Sequence, residues 1–277
     1  MTNLMTRFPW GFSALLSRRW VLAVALTGFV LHSNAASHFI VTPEGYENKV
    51  GSTVGAPGFT GGNTEHGTFR LQQVVSAQEF RTISTPILIS GLALREAFRS
   101  EGGFSGYITN ELFLSTTQKS PDGLSRAFAE NIGPDQTLVL PRGNGTSFSG
   151  SSGGGVGPAP FFTRLQFAQP FFYDPKAGNL LLDMRSYGAH YEQFVSVRPL
   201  DAAREVGDGV SMVWVEDVDS PNGTLGTEGY IIRFEYTPVP EPAGVLWLAG
   251  ACTLAAVLVR RRSELKTKQG GRNHVAR

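Results

Sequence analysis

The sequence predicts an all-β protein, a β-sandwich of jelly-roll or lectin-like type, flanked by two segments that belong to targeting and not to the fold. Three observations carry this. Between residues 36 and 238, short apolar or alternating runs recur, each bounded by clusters of Gly, Pro, Asn or Asp, the pattern of strands joined by turns. No stretch in that interval keeps a helical apolar spacing over a convincing length. Glycine and proline number 33 and 16 in 277 residues, which favours many turns and therefore short strands.

The expected strands run in order from Phe69 to Val75, Pro86 to Leu94, Tyr107 to Leu114 and Thr137 to Leu140. They continue with Thr163 to Phe167, Leu180 to Met184, Phe194 to Val197, Ser211 to Val215 and Gly229 to Tyr236. The last of these alternates cleanly at its end, as a half-buried strand does. Phe171 to Asp183 reads as strand, turn, strand: Asp174-Pro175 opens the turn and Gly178-Asn179 supplies positive φ before an apolar run. Asp122 to Asn131, with Leu124, Phe128 and Ala129, is the one stretch with the look of a short helix. Two glycine-rich stretches, Gly51 to Gly62 and Gly143 to Pro160, are expected as loops, the second within a single domain.

Charge is unevenly distributed. Residues 36–240 hold 14 Lys/Arg against 21 Asp/Glu, a net of −7, although the whole chain sums to +1. An acidic domain disfavours nucleic acid and anionic membrane as partners and suits cations or neutral sugars. With Cys252 the only cysteine, no intrachain disulfide can form, so stability rests on core packing.

Residues 1–35 read as a secretory signal. Arg7, Arg18 and Arg19 form a positive region, Trp20 to Leu31 an apolar one, and Ser33 and Ala35 place small residues before a cleavage point. Ser17-Arg18-Arg19-Trp20-Val21-Leu22 also resembles a twin-arginine export signal, with Val21 in place of the usual Phe.

Residues 239–262 form a second address. Val239-Pro240-Glu241-Pro242 precedes an uncharged run, 243–259, and then Arg260, Arg261 and Arg262. As a helix the run rises about 25 Å, the short end of a transmembrane span. The arginines would stay cytoplasmic with the polar tail 263–277, leaving the β-domain 36–238 outside. The prolines bar a helix and lack backbone donors, so the motif stays extended and open to a protease-like cleft.

This order resembles the PEP-CTERM sorting domain, the substrate signal of exosortases, over the 25–30 residues before the polar tail. The resemblance implies recognition at Pro240, Glu241 and Pro242, retention by the inner membrane, and processing by a membrane transpeptidase. It also implies a role at the cell surface or in an extracellular matrix, linked to exopolysaccharide or biofilm. The tail Ser263 to Arg277 departs from the family, which usually stops soon after the arginines.

Catalytic chemistry finds little support, and the chain is expected not to be an enzyme. Gly150-Ser151-Ser152-Gly153-Gly154 matches a nucleophile elbow in letters, but Gly and Ser continue on both sides and Pro158 and Pro160 follow. His38, His66 and His190 are the only histidines of the exported region. No Gly-Lys-Ser/Thr ending and no paired zinc ligands occur, and no cofactor is expected. Glu216, Asp217, Asp219 and Asn222, followed by Gly223, offer hard oxygens to calcium, with Asp217, Asp219 and Asn222 the best ligands. A glycan-active hydrolase would draw its two carboxylates from Glu111, Asp183, Glu192 and Glu235. A carbohydrate-binding module would use Trp214, Tyr187 and Tyr191, although Trp214 lies in an apolar strand where core packing is the expected use.

Overall fold

The computed structural model describes residues 36–54, 65–66, 68–97, 104–143, 146–150, 155–193 and 200–239. These carry only strands, turns and two single-turn 3-10 segments, Ala77–Phe80 and Phe128–Asn131. The first strands are β1 (His38–Thr42), β2 (Thr53–Val54), β3 (Glu65–His66), β4 (Phe69–Val75) and β5 (Ile87–Leu94). Next come β6 (Phe104–Thr117), β7 (Thr137–Leu140), β8 (Thr146–Gly150), β9 (Thr163–Tyr173) and β10 (Asn179–Gln193). The last are β11 (Asp201–Ala203), β12 (Val210–Val215), β13 (Thr224–Gly226), β14 (Gly229–Tyr230) and β15 (Ile232–Pro238).

The protein is all-β, and its sheets are antiparallel throughout. A four-stranded sheet runs β1-β15-β5-β9. An eight-stranded sheet runs β13-β12-β4-β10-β6-β7, with β3 on β10 and β8 on β6, and a small sheet runs β14-β11-β2. Alternation along the strands builds one core between the two larger sheets. Leu180, Leu182 and Met184 of β10 meet Phe80, Ile87, Leu165, Tyr173 and Phe234 in it. The opposite face of the eight-stranded sheet is covered too: Val74, Leu181 and Val213 pack under Leu124 and Phe128.

That second cover corrects the expected helix. Leu124 and Phe128 have helical spacing, but the segment is a loop that closes in the 3-10 turn Phe128–Asn131. Its backbone bonds go sideways: Phe128 N donates to Pro221 O at 3.1 Å and Gly223 N to Arg126 O at 2.9 Å. Asn131, fully buried, takes the place of a cap, donating to Gln72 Oε1 at 3.0 Å and accepting from Ser125 N at 2.8 Å.

Other boundaries shift for identifiable reasons. β9 continues past Phe167 through Pro170, which an edge strand tolerates. β10 runs well beyond Met184, with a bulge between Ser186 and Ala189 where Gly188 takes φ 125°. Part of the second glycine-rich stretch is a strand and not a loop, since β8 pairs with Phe104–Ile108 of β6. Gly229 to Tyr236 breaks at Ile231, whose N–H donates to Asp201 O at 3.0 Å, so β14 and β15 enter different sheets. The strand-turn-strand from Phe171 to Asp183 is present as a corner, carrying the chain from the four-stranded to the eight-stranded sheet. Asp174 O and Oδ1 accept from Ala177 N and Lys176 N, and Gly178 takes φ 153°.

One buried side chain serves a strand's backbone. Gln73 donates to Tyr230 O at 3.0 Å and accepts from Tyr230 N at 2.8 Å, so its amide engages both backbone polar groups of that residue. Among the described residues no helix is long and apolar enough to cross a membrane. The expected signal 1–35, strand Phe194 to Val197, helix 243–259 and Cys252 lie outside the described residues.

Candidate ligand-binding face

The sorting residues Pro240, Glu241 and Pro242 and the arginines Arg260, Arg261 and Arg262 lie outside the described residues, as does Ser152. The chain is held up to their threshold: Val239 N donates to Pro86 O at 2.9 Å. Asp217, Asp219 and Asn222 occupy an exposed loop between β12 and β13. Asp217 Oδ1 accepts from Asp219 N at 3.0 Å, and Asn222 O accepts from Ser220 Oγ at 2.8 Å. Among the described residues no three His, Cys, Asp or Glu side chains gather as a metal site requires.

The carboxylates considered for hydrolysis divide between two sheets. Glu111 and Asp183 share a face of the eight-stranded sheet, linked by Arg185 at 3.6 and 4.0 Å. Asp183 is buried, and both its oxygens are taken, Oδ1 by Arg70 Nε and Oδ2 by Arg70 Nη2 and Gln72. Glu235 lies on the four-stranded sheet, paired with Arg164 at 2.8 Å. Glu192 is carried near the end of β10.

Two of the aromatics considered for sugar stacking, Trp214 and Tyr187, are also occupied. Trp214 is half-buried against the main core, in line with its apolar strand. The Tyr187 hydroxyl donates to Glu111 at 3.2 Å, while Arg142 covers its ring at 3.7 Å. Burial, and then the negative charge of Glu111, push that phenol upward. Tyr191 pairs in register with Gly106, and His190 with Tyr107 and Glu65. His66 lies opposite Ala189, and His38 stacks on Tyr236 with centroids 5.6 Å apart.

A different cluster sits on the outer face of the four-stranded sheet. The alternation of β15 sends Ile232 and Phe234 into the core and Arg233 outward. The Arg233 guanidinium lies 4.9 Å from the ring centre of Phe39 and 5.1 Å from that of Phe161, both within cation–π range. Phe39 remains 53% exposed. Among the described residues Arg233 has no carboxylate partner within salt-bridge distance, and its buried Nε has no hydrogen-bond partner. Desolvation, then Arg164, pull its pKa below the usual guanidinium range.

Arg233 also lies at the junction of two clefts. One, of about 240 Å³, is bounded by Phe39, Glu44, Glu79 and Arg81. The other, of about 380 Å³, is bounded by Val41, Asn48, Pro158, Pro160 and Phe161. Glu47 borders both. Glu44 is engaged by Arg81, and Glu79 accepts from Glu44 N. The apolar run of β1 was the available sequence signal for this face, but its partners Phe161 and Arg233 meet it only through folding.

Comparison with known proteins finds no family model that matches the chain and no curated relative.

Proposed function

We propose that this chain is an exported surface or extracellular-matrix protein, delivered by a PEP-CTERM-type signal and serving a structural or adhesive role linked to exopolysaccharide. The observation that carries the reading is the ordered tail: Pro240-Glu241-Pro242, the uncharged run 243–259, and Arg260 to Arg262, opposite a secretory N-terminus. The β-domain is read as a non-enzymatic β-sandwich of jelly-roll or lectin type, in keeping with two antiparallel sheets sharing one core. The partners are an exosortase-type enzyme and the inner membrane in transit. Replacing Pro240, Glu241 and Pro242 with Ala should leave an unprocessed, membrane-retained form; normal processing of that variant refutes the reading.

A second reading, a carbohydrate-binding module on the same sandwich, is favoured by Phe39 and Phe161 flanking Arg233 beside two clefts. A polysaccharide pull-down with wild-type chain and a Phe39→Ala variant separates it from a passive structural role: retention lost in the variant supports a module.

A further inference from the structure

We propose that the face around Arg233 binds an acidic polysaccharide, with one sugar carboxylate seated on the Arg233 guanidinium and neighbouring rings in the two flanking clefts. This rests on the carbohydrate-binding reading above and names the chemistry of its ligand.

In charge, Arg233 is a local exception to the acidic balance of residues 36–240. Arg164, Arg81, Arg70 and Arg95 each have a carboxylate partner at 2.8 Å or less. Arg233 has none among the described residues, although it is half-buried and its Nε is shut away from solvent. A partly desolvated guanidinium with no carboxylate at contact distance is an incomplete ion pair, and a planar carboxylate is the group its geometry completes.

The surroundings select a sugar. Phe39 presents an exposed aromatic surface beside the cation, and Val41, Pro158 and Pro160 give the larger cleft apolar walls. Asn48 and Glu47 add an amide and a carboxylate able to engage hydroxyl groups. Few polar groups on apolar walls is the usual make-up of a small-molecule subsite. Because the clefts meet at one arginine, a chain of sugars fits the arrangement better than a single ring. Arg81 is paired with Glu44, so among the described residues Arg233 is the cation facing both clefts with no carboxylate at salt-bridge distance, although Glu47 also borders both.

The test uses the full-length chain in mild detergent and four immobilised polymers: polygalacturonate, its methyl ester, poly-glutamate and neutral dextran. Wild type should retain polygalacturonate, and Arg233→Gln should weaken binding by about tenfold or more, the loss of one charge-assisted contact. Phe39→Ala, at an exposed position, should weaken it several-fold without loss of fold. Equal binding of the methyl ester, of poly-glutamate, or by Arg233→Gln overturns the proposal, as does no binding of polygalacturonate by wild type. Retention of neutral dextran by a chain that ignores polygalacturonate would overturn only the acidic ligand. Failure to retain either polymer would reach the carbohydrate-binding reading itself.

Discussion

Arg95 and Asp201 form an ion pair at 2.8 Å in which each side chain is only 1% exposed. The pair fastens the loop between β1 and β2: Arg95 donates to Glu47 O and Lys49 O, and Asp201 Oδ1 accepts from Gly51 N at 2.9 Å. Burial pushes the Asp201 carboxyl upward while Arg95 and the backbone donors oppose it. Asp201→Ala should therefore strand a buried guanidinium and cost about 3–5 kcal/mol in urea unfolding, whereas the double variant Arg95→Met, Asp201→Leu should recover much of the loss. A single variant as stable as wild type would contradict this.

Gln73→Leu conserves volume but removes the amide that donates to Tyr230 O and accepts from Tyr230 N inside the fold. The expected loss is about 2–4 kcal/mol, read as a lower denaturation midpoint at unchanged slope.

Asp208 gives a pH signature. Burial foremost, with Glu205, Asp122 and Glu79 nearby, raises its pKa from 3.8 to about 6, and its Oδ2 has no hydrogen-bond partner among the described residues. The folded chain thus holds a proton that the unfolded chain releases, so stability falls as pH rises from roughly 4 to 6. Asp208→Asn can keep the Oδ1 acceptor for Val210 N and should flatten that decline. At pH 7 it should add about 1 kcal/mol once solvent screening is allowed for. Thermal melts across pH 4–7 read both effects, and parallel curves would contradict them.

Gly133 and Gly143 should respond oppositely to alanine. A Cβ at Gly133 would lie 1.8 Å from Thr116 O, whereas at Gly143 its nearest neighbour is Pro141 O at 3.9 Å. Gly133→Ala should cost about 1–3 kcal/mol or more and Gly143→Ala little, by melting temperature.

Fold class was legible because burial imprints a two-residue period and turns demand Gly, Pro, Asn and Asp. Thr137–Leu140 and Phe69–Val75 match their expected limits for that reason. β6 and β10 outran expectation because their ends are polar yet still held in a ladder. Leu124 and Phe128 misled because an i, i+4 pair describes a helix face and equally a loop pinning two residues onto a sheet. At the candidate face, Arg233 was legible as outward-facing. Its pairing with Phe39 and Phe161 was not, since it depends on β1 lying beside β15 and on the segment before β9 folding back. The acidic residues drew attention by type, but the structure ties Asp183 to Arg70 and Glu235 to Arg164.

The strand order of the smaller of the two main sheets has a consequence for how the chain is made. Among the described residues β1 pairs only with β15, and β15 stands between β1 and β5. A polypeptide emerging from its N-terminus therefore presents β1 long before β15 exists. The gap cannot be filled until residue 238 has cleared the machinery delivering it. Vectorial release thus leaves Phe80, Ile87 and Tyr173 waiting for Phe234, and a product truncated ahead of residue 232 would keep its apolar interior open to water.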